Sequence, residues 1–189
     1  MLDDLDRTLE ELLKLELPPT LAGQVSVSFV TPDSEFATKV QLPAIDFFLY
    51  DVRENVELRN NEWSVERSSN GTATKKRPPV RVDCSYLITV WPADRSDSQT
   101  EHRLLGEVMK VLLRYPKIPA EVLQGTLKGQ EPPLRTNTLR PSQLQSLGEF
   151  WQAMGGKPKA ALNYTVTISV GVQETPEVLP LVMEKLISQ

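Results

Sequence analysis

Histidine and cysteine occur once each in 189 residues, as His102 and Cys84. One cysteine excludes an internal disulfide. Two such residues together fall short of a usual zinc centre, which takes three or four ligands from those types. A hydroxyl or thiol nucleophile also needs a base held by a third group, and His102 is the sole imidazole. No apolar run approaches the roughly 20 residues that span a bilayer, so direct membrane insertion is not expected. Basic residues are not in excess: 21 Lys and Arg stand against 25 Asp and Glu, a net charge of −4. Nucleic acid is therefore not the expected partner, because backbone binding relies on a basic face that releases counterions. The opening Met-Leu-Asp-Asp-Leu-Asp lacks the basic and apolar regions of a signal peptide, which points to a reducing cytoplasm.

What is present is material for a globular domain. The hydrophobic fraction is 40% and the charged fraction 24%, ordinary values for a packed protein. A chain of this size buries roughly 70% of its unfolded surface. Fifteen prolines predict many turns.

Leu2, Leu5, Leu9, Leu12 and Leu13 recur at helical spacing, so an amphipathic helix is expected over about 2–15, stopped by Pro18 and Pro19. Alternation of Val25, Val27 and Phe29 with serines predicts a strand. Ile45, Phe47 and Leu49 predict another over Ala44–Tyr50, and Trp63–Arg67 a short third. Ser68–Pro79, with Gly, Ser, Thr and the basic run Lys75-Lys76-Arg77, reads as a solvated loop. Val80–Trp91 reads as the longest strand, with Val82, Cys84, Tyr86, Ile88 and Val90 on one face. The short loop pairs it with Trp63–Arg67 in an expected hairpin. Ser98 and Glu101 fit a capping box before a helix carrying Leu104, Leu105, Val108, Met109 and Leu112, which Pro116 ends. Ile118–Pro141 reads as loops with one extended piece near Leu134–Thr138. Ser146 and Glu149 fit a second capping box, followed by a short helix with Phe150 and Trp151 that Gly155-Gly156 ends. Leu162–Val172 alternates as a strand, and Pro176–Ile187 is expected to hold a helix starting near Pro180. The order of elements predicts an α+β fold, a mixed and mainly antiparallel sheet flanked by helices.

No motif for chemistry assembles. His102 belongs on an exposed helix turn, and Cys84 on a buried strand face. Asp94, Asp97 and Glu101 lack the alternation and glycine of a calcium loop and read as a polar turn plus a helix cap. Gly155-Gly156-Lys157 resembles part of a phosphate loop, but Trp151 and Pro158 stand where that motif needs Gly and Ser or Thr. No catalytic, cofactor-binding or metal-binding residue is expected. Phe150 and Trp151 point about 100° apart on a helix, so core packing and a subunit contact both suit them.

Several stretches, in order, carry a resemblance: Tyr50–Asn55, Asn60-Asn61-Glu62-Trp63, Pro78–Leu87, Glu101–Gly106, Leu123-Gln124-Gly125, Gly148–Gly156 and Asn163–Thr167. Together they resemble the N-terminal domain of cap, or tail-terminator, proteins of extracellular phage-tail-like contractile injection systems of the antifeeding-prophage and virulence-cassette type. The resemblance spans about residues 1–175, leaving 176–189 as a C-terminal helix or tail. It implies a tail-terminator-like fold and a structural, non-enzymatic role. The implied partners are further copies in a ring, most simply a hexamer, the inner tube protein and the sheath protein, assembled in the cytoplasm into a particle. The candidate contact residues are Arg53, Asn55, Arg59, Asn60 and Trp63, with Phe150 and Trp151, because polar and aromatic groups mix there as interfaces require. The competing readings are another tube or baseplate adaptor of the same particle, and an enzyme with a site of scattered carboxylates and arginines.

Overall fold

A computed structural model describes residues 1–60, 62–67, 72–141, 144, 146–172 and 177–180 of the chain. The first helix, α1 (Leu2–Glu16), buries Leu5, Leu9, Leu12 and Leu13, the stripe its spacing predicts. A one-turn helix α2 (Pro19–Ala22) leads to strand β1 (Ser26–Ser28), and the short α3 (Phe36–Lys39) to strand β2 (Ala44–Glu54). Two short strands follow, β3 (Ser64–Arg67) and β4 (Thr72–Lys76), and then the long β5 (Val80–Trp91). Helix α4 (Ser98–Arg114) precedes two single 3-10 turns, Ala120–Val122 and Gly125–Leu127, and strand β6 (Arg135–Thr138). Helix α5 (Leu147–Ala153), strand β7 (Leu162–Val170) and strand β8 (Glu177–Pro180) complete the order.

The main sheet runs β1-β2-β5-β7-β6, antiparallel except for β1 beside β2. This is the mixed, mainly antiparallel α+β architecture that the element order predicts. Side-chain alternation sorts its two faces. Ile45 and Phe47 of β2, Cys84, Tyr86, Ile88 and Val90 of β5, and Tyr164, Val166 and Ile168 of β7 point to one side. There α1 and α4 cover them with Leu9, Leu12, Leu13, Leu104, Val108 and Leu112. Each such side chain, fully buried, contributes roughly 1.5–3 kcal/mol relative to exposure. Arg114 of α4 reaches Glu16 of α1 at 2.6 Å and links the two helices at the surface.

The start of α1 is held from across the chain. Asp4, 4% exposed, accepts hydrogen bonds from the backbone N–H of Thr126 at 3.1 Å and its hydroxyl at 2.7 Å. Arg7 donates to the same carboxylate at 2.5 Å. The Thr126 bonds, then Arg7, hold the Asp4 carboxyl far below the ordinary carboxylate range. Gly125 supplies the close approach: its φ is +51°, and a Cβ there would lie 1.8 Å from Asp4 Oδ1.

Several sequence expectations are corrected. The Trp63–Arg67 strand does not pair with Val80–Trp91. β3 pairs with β4, from Ser64 opposite Lys76 to Arg67 opposite Ala73, and β4 pairs with β8 in a second, three-stranded sheet. β5 takes β2 and β7 as neighbours instead, since each offers a long alternating face in register with its own. Part of the expected loop Ser68–Pro79 is therefore strand, Thr72–Lys76; residues 68–71 lie outside the described residues. Glu177–Pro180, just before the expected helix start, is extended and completes the β4 ladder; the helix expected from near Pro180 to 187 lies outside the described residues. The cap of α4 is Asp97, whose carboxylate accepts from Thr100 N–H at 2.9 Å. Ser98 is then the first helical residue, and Glu101 is free to pair with Lys159 at 2.5 Å. The second capping signal holds its place, with Ser146 Oγ accepting from Glu149 N–H at 3.2 Å.

Candidate interaction surface

Among the described residues, α3 and α5 cover the second face of the main sheet at one end. Phe36 of α3 stacks on Trp91 with centroids 4.4 Å apart, and Phe150 of α5 meets Phe48 of β2 at 5.9 Å. Trp151 is 2% exposed and packs edge-on to Phe150 at 5.3 Å. Lys159 sits 4.8 Å above the Trp91 ring. Trp151 therefore belongs to a second apolar cluster and offers no ring to a partner, while Phe150 is half-buried beside it. The pair fits because α5 lies over the sheet and the two rings contact each other there.

Beyond this cluster the same face is polar, and a bulge in β2 sets its character. Leu49 pairs with Tyr86 but Asp51 pairs with Ser85, so Tyr50 is the extra residue. A one-residue bulge reverses which side each later residue takes. Asp51 and Arg53 would otherwise point into the core; they stand on the polar face, opposite Ser85 and Asp83. Arg53 Nε donates to Asp51 at 2.5 Å. Asn55 ends the strand: its side chain accepts from Leu58 N–H at 3.1 Å and donates to Asp83 at 3.0 and 3.2 Å. Asp83 also accepts from the Thr167 hydroxyl at 2.7 Å.

Two hollows follow. One, of about 320 Å³, is lined by Arg53, Asp83, Ser85, Arg140, Asn163 and neighbours. The other, of about 440 Å³, is lined by Glu54, Arg59, Asn60, Trp63, Arg77, Pro78, Pro79, Val80 and Arg81. Arg59 holds Glu54 through two parallel bonds of 2.7 Å. Lys75 lies 4.5 Å over the Trp63 ring, which is 43% exposed. Val52, Val56, Leu58 and Val65 are also exposed apolar residues of β2, β3 and the segment between them.

Arg59, Asn60 and Trp63 thus share one hollow, Arg53 borders the next, and Asn55 holds Asp83 in the lining of that second one. Phe150 and Trp151 are at the other end of the sheet. Arg81, Arg135 and Arg140 also belong to this face and were not singled out from the sequence. They are up to 59 positions apart (140 − 81), and only the pairing of β6 with β7 and of β7 with β5 brings them together.

The groups with chemistry in the sequence are dispersed. His102 is exposed on α4. Cys84 is buried in the core, and burial pushes its thiol up to about 12, so it is not a thiolate at neutral pH. Asp94 serves a turn, accepting from Ser96 N–H at 2.9 Å. Among the described residues no three His, Cys, Asp or Glu side chains converge as metal ligands do, and no helix is long and apolar enough to cross a membrane.

Fold and surface together define an α+β domain built around one sheet face packed under α1 and α4 and a second that is polar and rich in arginine beyond α5. The sequence matches the Pvc16 N-terminal domain family over residues 4–184, and the chain belongs to that family. Two solved structures are similar over its whole length. One is the sheath/tube terminator of the PVC extracellular contractile injection system in its extended state, 25% identical with a TM-score of 0.70. The other is the tube-terminating cap of the anti-feeding prophage, 27% identical with a TM-score of 0.71. The chain spans 62% of the length of each. No curated protein sequence matches it.

Proposed function

We propose that the chain is a structural cap that terminates the inner tube of a contractile injection particle and anchors the end of its sheath. The observation that carries this is similarity along the whole chain, at TM-scores of 0.70 and 0.71, to a sheath/tube terminator and a tube-terminating cap. The similarity to a sheath/tube terminator and a tube-terminating cap supports a structural role. In this reading residues 1–175 form the terminator-like body. Copies close head-to-tail into a ring, a hexamer in the assembled particle, since heterologous contacts close when the rotation between copies allows it. The ring meets the tube protein on one side and the sheath protein on the other. The contact surface is the polar part of the second sheet face and its border, with Arg53, Asn55, Arg59, Asn60 and Trp63. Phe150, half-buried at the other end of the sheet, is a second candidate contact, with Trp151 packed against it.

The test is deletion of the gene followed by electron microscopy of particles. The expected outcome is tubes of uncontrolled length with unanchored sheath ends, restored by the full gene. Particles of normal length with intact distal ends would overturn the cap assignment. Labelled chain found at the baseplate end would favour an adaptor instead.

A further inference from the structure

One charged group on the second face is buried and, among the described residues, makes no ion pair. Arg81, at the start of β5, is 6% exposed. Among the described residues its hydrogen bond is to the hydroxyl of Ser169, and it makes no ion pair. Asp83, the next acid on its face of the strand, attracts Arg81 but makes no ion pair with it, its hydrogen bonds going to Asn55 and Thr167. Arg135, across β7, adds a second positive charge rather than a negative one; burial and that repulsion lower the Arg81 pKa. The wall behind is fixed, because the Gln130 side chain bonds both the N–H and the C=O of Ser169 at 2.8 Å. Burying a guanidinium without a carboxylate is unfavourable, so the arrangement is incomplete as it stands.

Arg81 lies where two recesses meet. The 440 Å³ hollow is on one side. A second of about 220 Å³, lined by Leu58, Pro132 and Arg135, is on the other, and Asn60, Pro78 and Pro79 border both. Pro78, Pro79 and Pro132 thus put apolar rings beside the Arg81 and Arg135 guanidiniums. Glu54, the acid lining this cleft, is committed to Arg59.

We propose that this cleft takes an acidic segment of a partner protein, with an Asp or Glu side chain seated between Arg81 and Arg135. Two guanidiniums match a carboxylate's two oxygens. Pro78, Pro79 and Pro132 give adjacent apolar side chains a surface. A nucleic acid fits less well, because the chain as a whole carries −4. The inference adds a partner chemistry to the cap reading but does not need it, because binding to the cleft is measured on the chain alone.

The experiment titrates the full chain with a short fluorescent peptide of repeating Glu-Leu-Gly, amide-capped so that only side chains carry charge. Its Gln-Leu-Gly analogue, the analogue with a free C-terminus, single-stranded DNA and inorganic phosphate are the comparison probes. The Glu peptide is expected to bind, and to lose at least about tenfold in affinity in R81Q, in R135Q and on replacing Glu by Gln, the size of effect that loss of a desolvated charge pair brings. Arg135 is exposed, so R135Q keeps the test sound if R81Q fails to fold. Equal binding by R135Q and the parent, no binding of the Glu peptide at roughly 1 mM, equal binding of the free-carboxylate analogue, or tighter binding of DNA or phosphate would each overturn the proposal. Failure here with aberrant particles on gene deletion removes the acidic partner and leaves the cap.

Discussion

Asp46→Asn should make the protein more stable at neutral and alkaline pH. Asp46 of β2 is fully buried on the second face of the sheet, beside Ser28 in the parallel pairing and Thr89 in the antiparallel one. Neither carboxyl oxygen has a hydrogen-bond partner among the described residues. Burial pushes the carboxyl up from 3.8 to about 8, and the nearby Ser28 hydroxyl and Val30 amide offset only part of that. The folded protein therefore keeps a proton that the unfolded chain releases near pH 4. Since the folded pKa is raised, the stability linked to that proton is complete below about pH 4 and is lost as pH rises through about 8. A full shift of about 4 units corresponds to about 5–6 kcal/mol, and the part falling between about pH 5 and pH 8 to about 3–4 kcal/mol. This is an upper figure, because local opening lets water reach the carboxylate. Asn is close in shape and does not ionise, but its amide needs partners the site lacks, at about 1–3 kcal/mol. Near pH 5 the variant should thus match the parent or fall slightly below it, and near pH 8 it should exceed it by about 2 kcal/mol. Urea unfolding of both proteins across this range reads the difference. Parallel curves, with the same gap at both pH values, would refute the reasoning.

Gly125→Ala should destabilise by more than the roughly 1–2 kcal/mol of a left-handed backbone, because its Cβ would strike Asp4; a Tm within a degree or so of the parent, where about 1 kcal/mol moves Tm by roughly 2–4 °C, would show that α1 is not clamped there. Trp151→Ala should cost about 3–5 kcal/mol in chemical unfolding, as loss of a buried ring does; unaltered stability with impaired assembly would make Trp151 a contact residue instead. Cys84 should resist a thiol reagent in the folded protein and react at once in denaturant, since its thiol is buried and held up to about 12; fast labelling of the native chain would contradict its position.

The sequence by itself determined the elements whose length and period are unambiguous: α1, α4, β5 and β7, together with the Ser146 cap and the extended piece that became β6. Their apolar residues repeat at the spacing of the structure they adopt, and that information is local. It also indicated which stretches belong together, through the order of motifs that mark the family. Tertiary structure alone decided the partners. β5 chose β2 and β7 over the nearer β3, because a long strand buried on one face gains most from neighbours that extend the same face. The bulge at Tyr50 carries no sequence signature, yet it turns Asp51 and Arg53 from the core side to the polar side. Asp97 took the cap that Ser98 would have held, and Glu101 went to Lys159, 58 residues away. The cleft was hidden for the same reason. Arg81 and Arg135 lie far apart in the chain, and a shared charge environment exists only once β7 stands between β5 and β6.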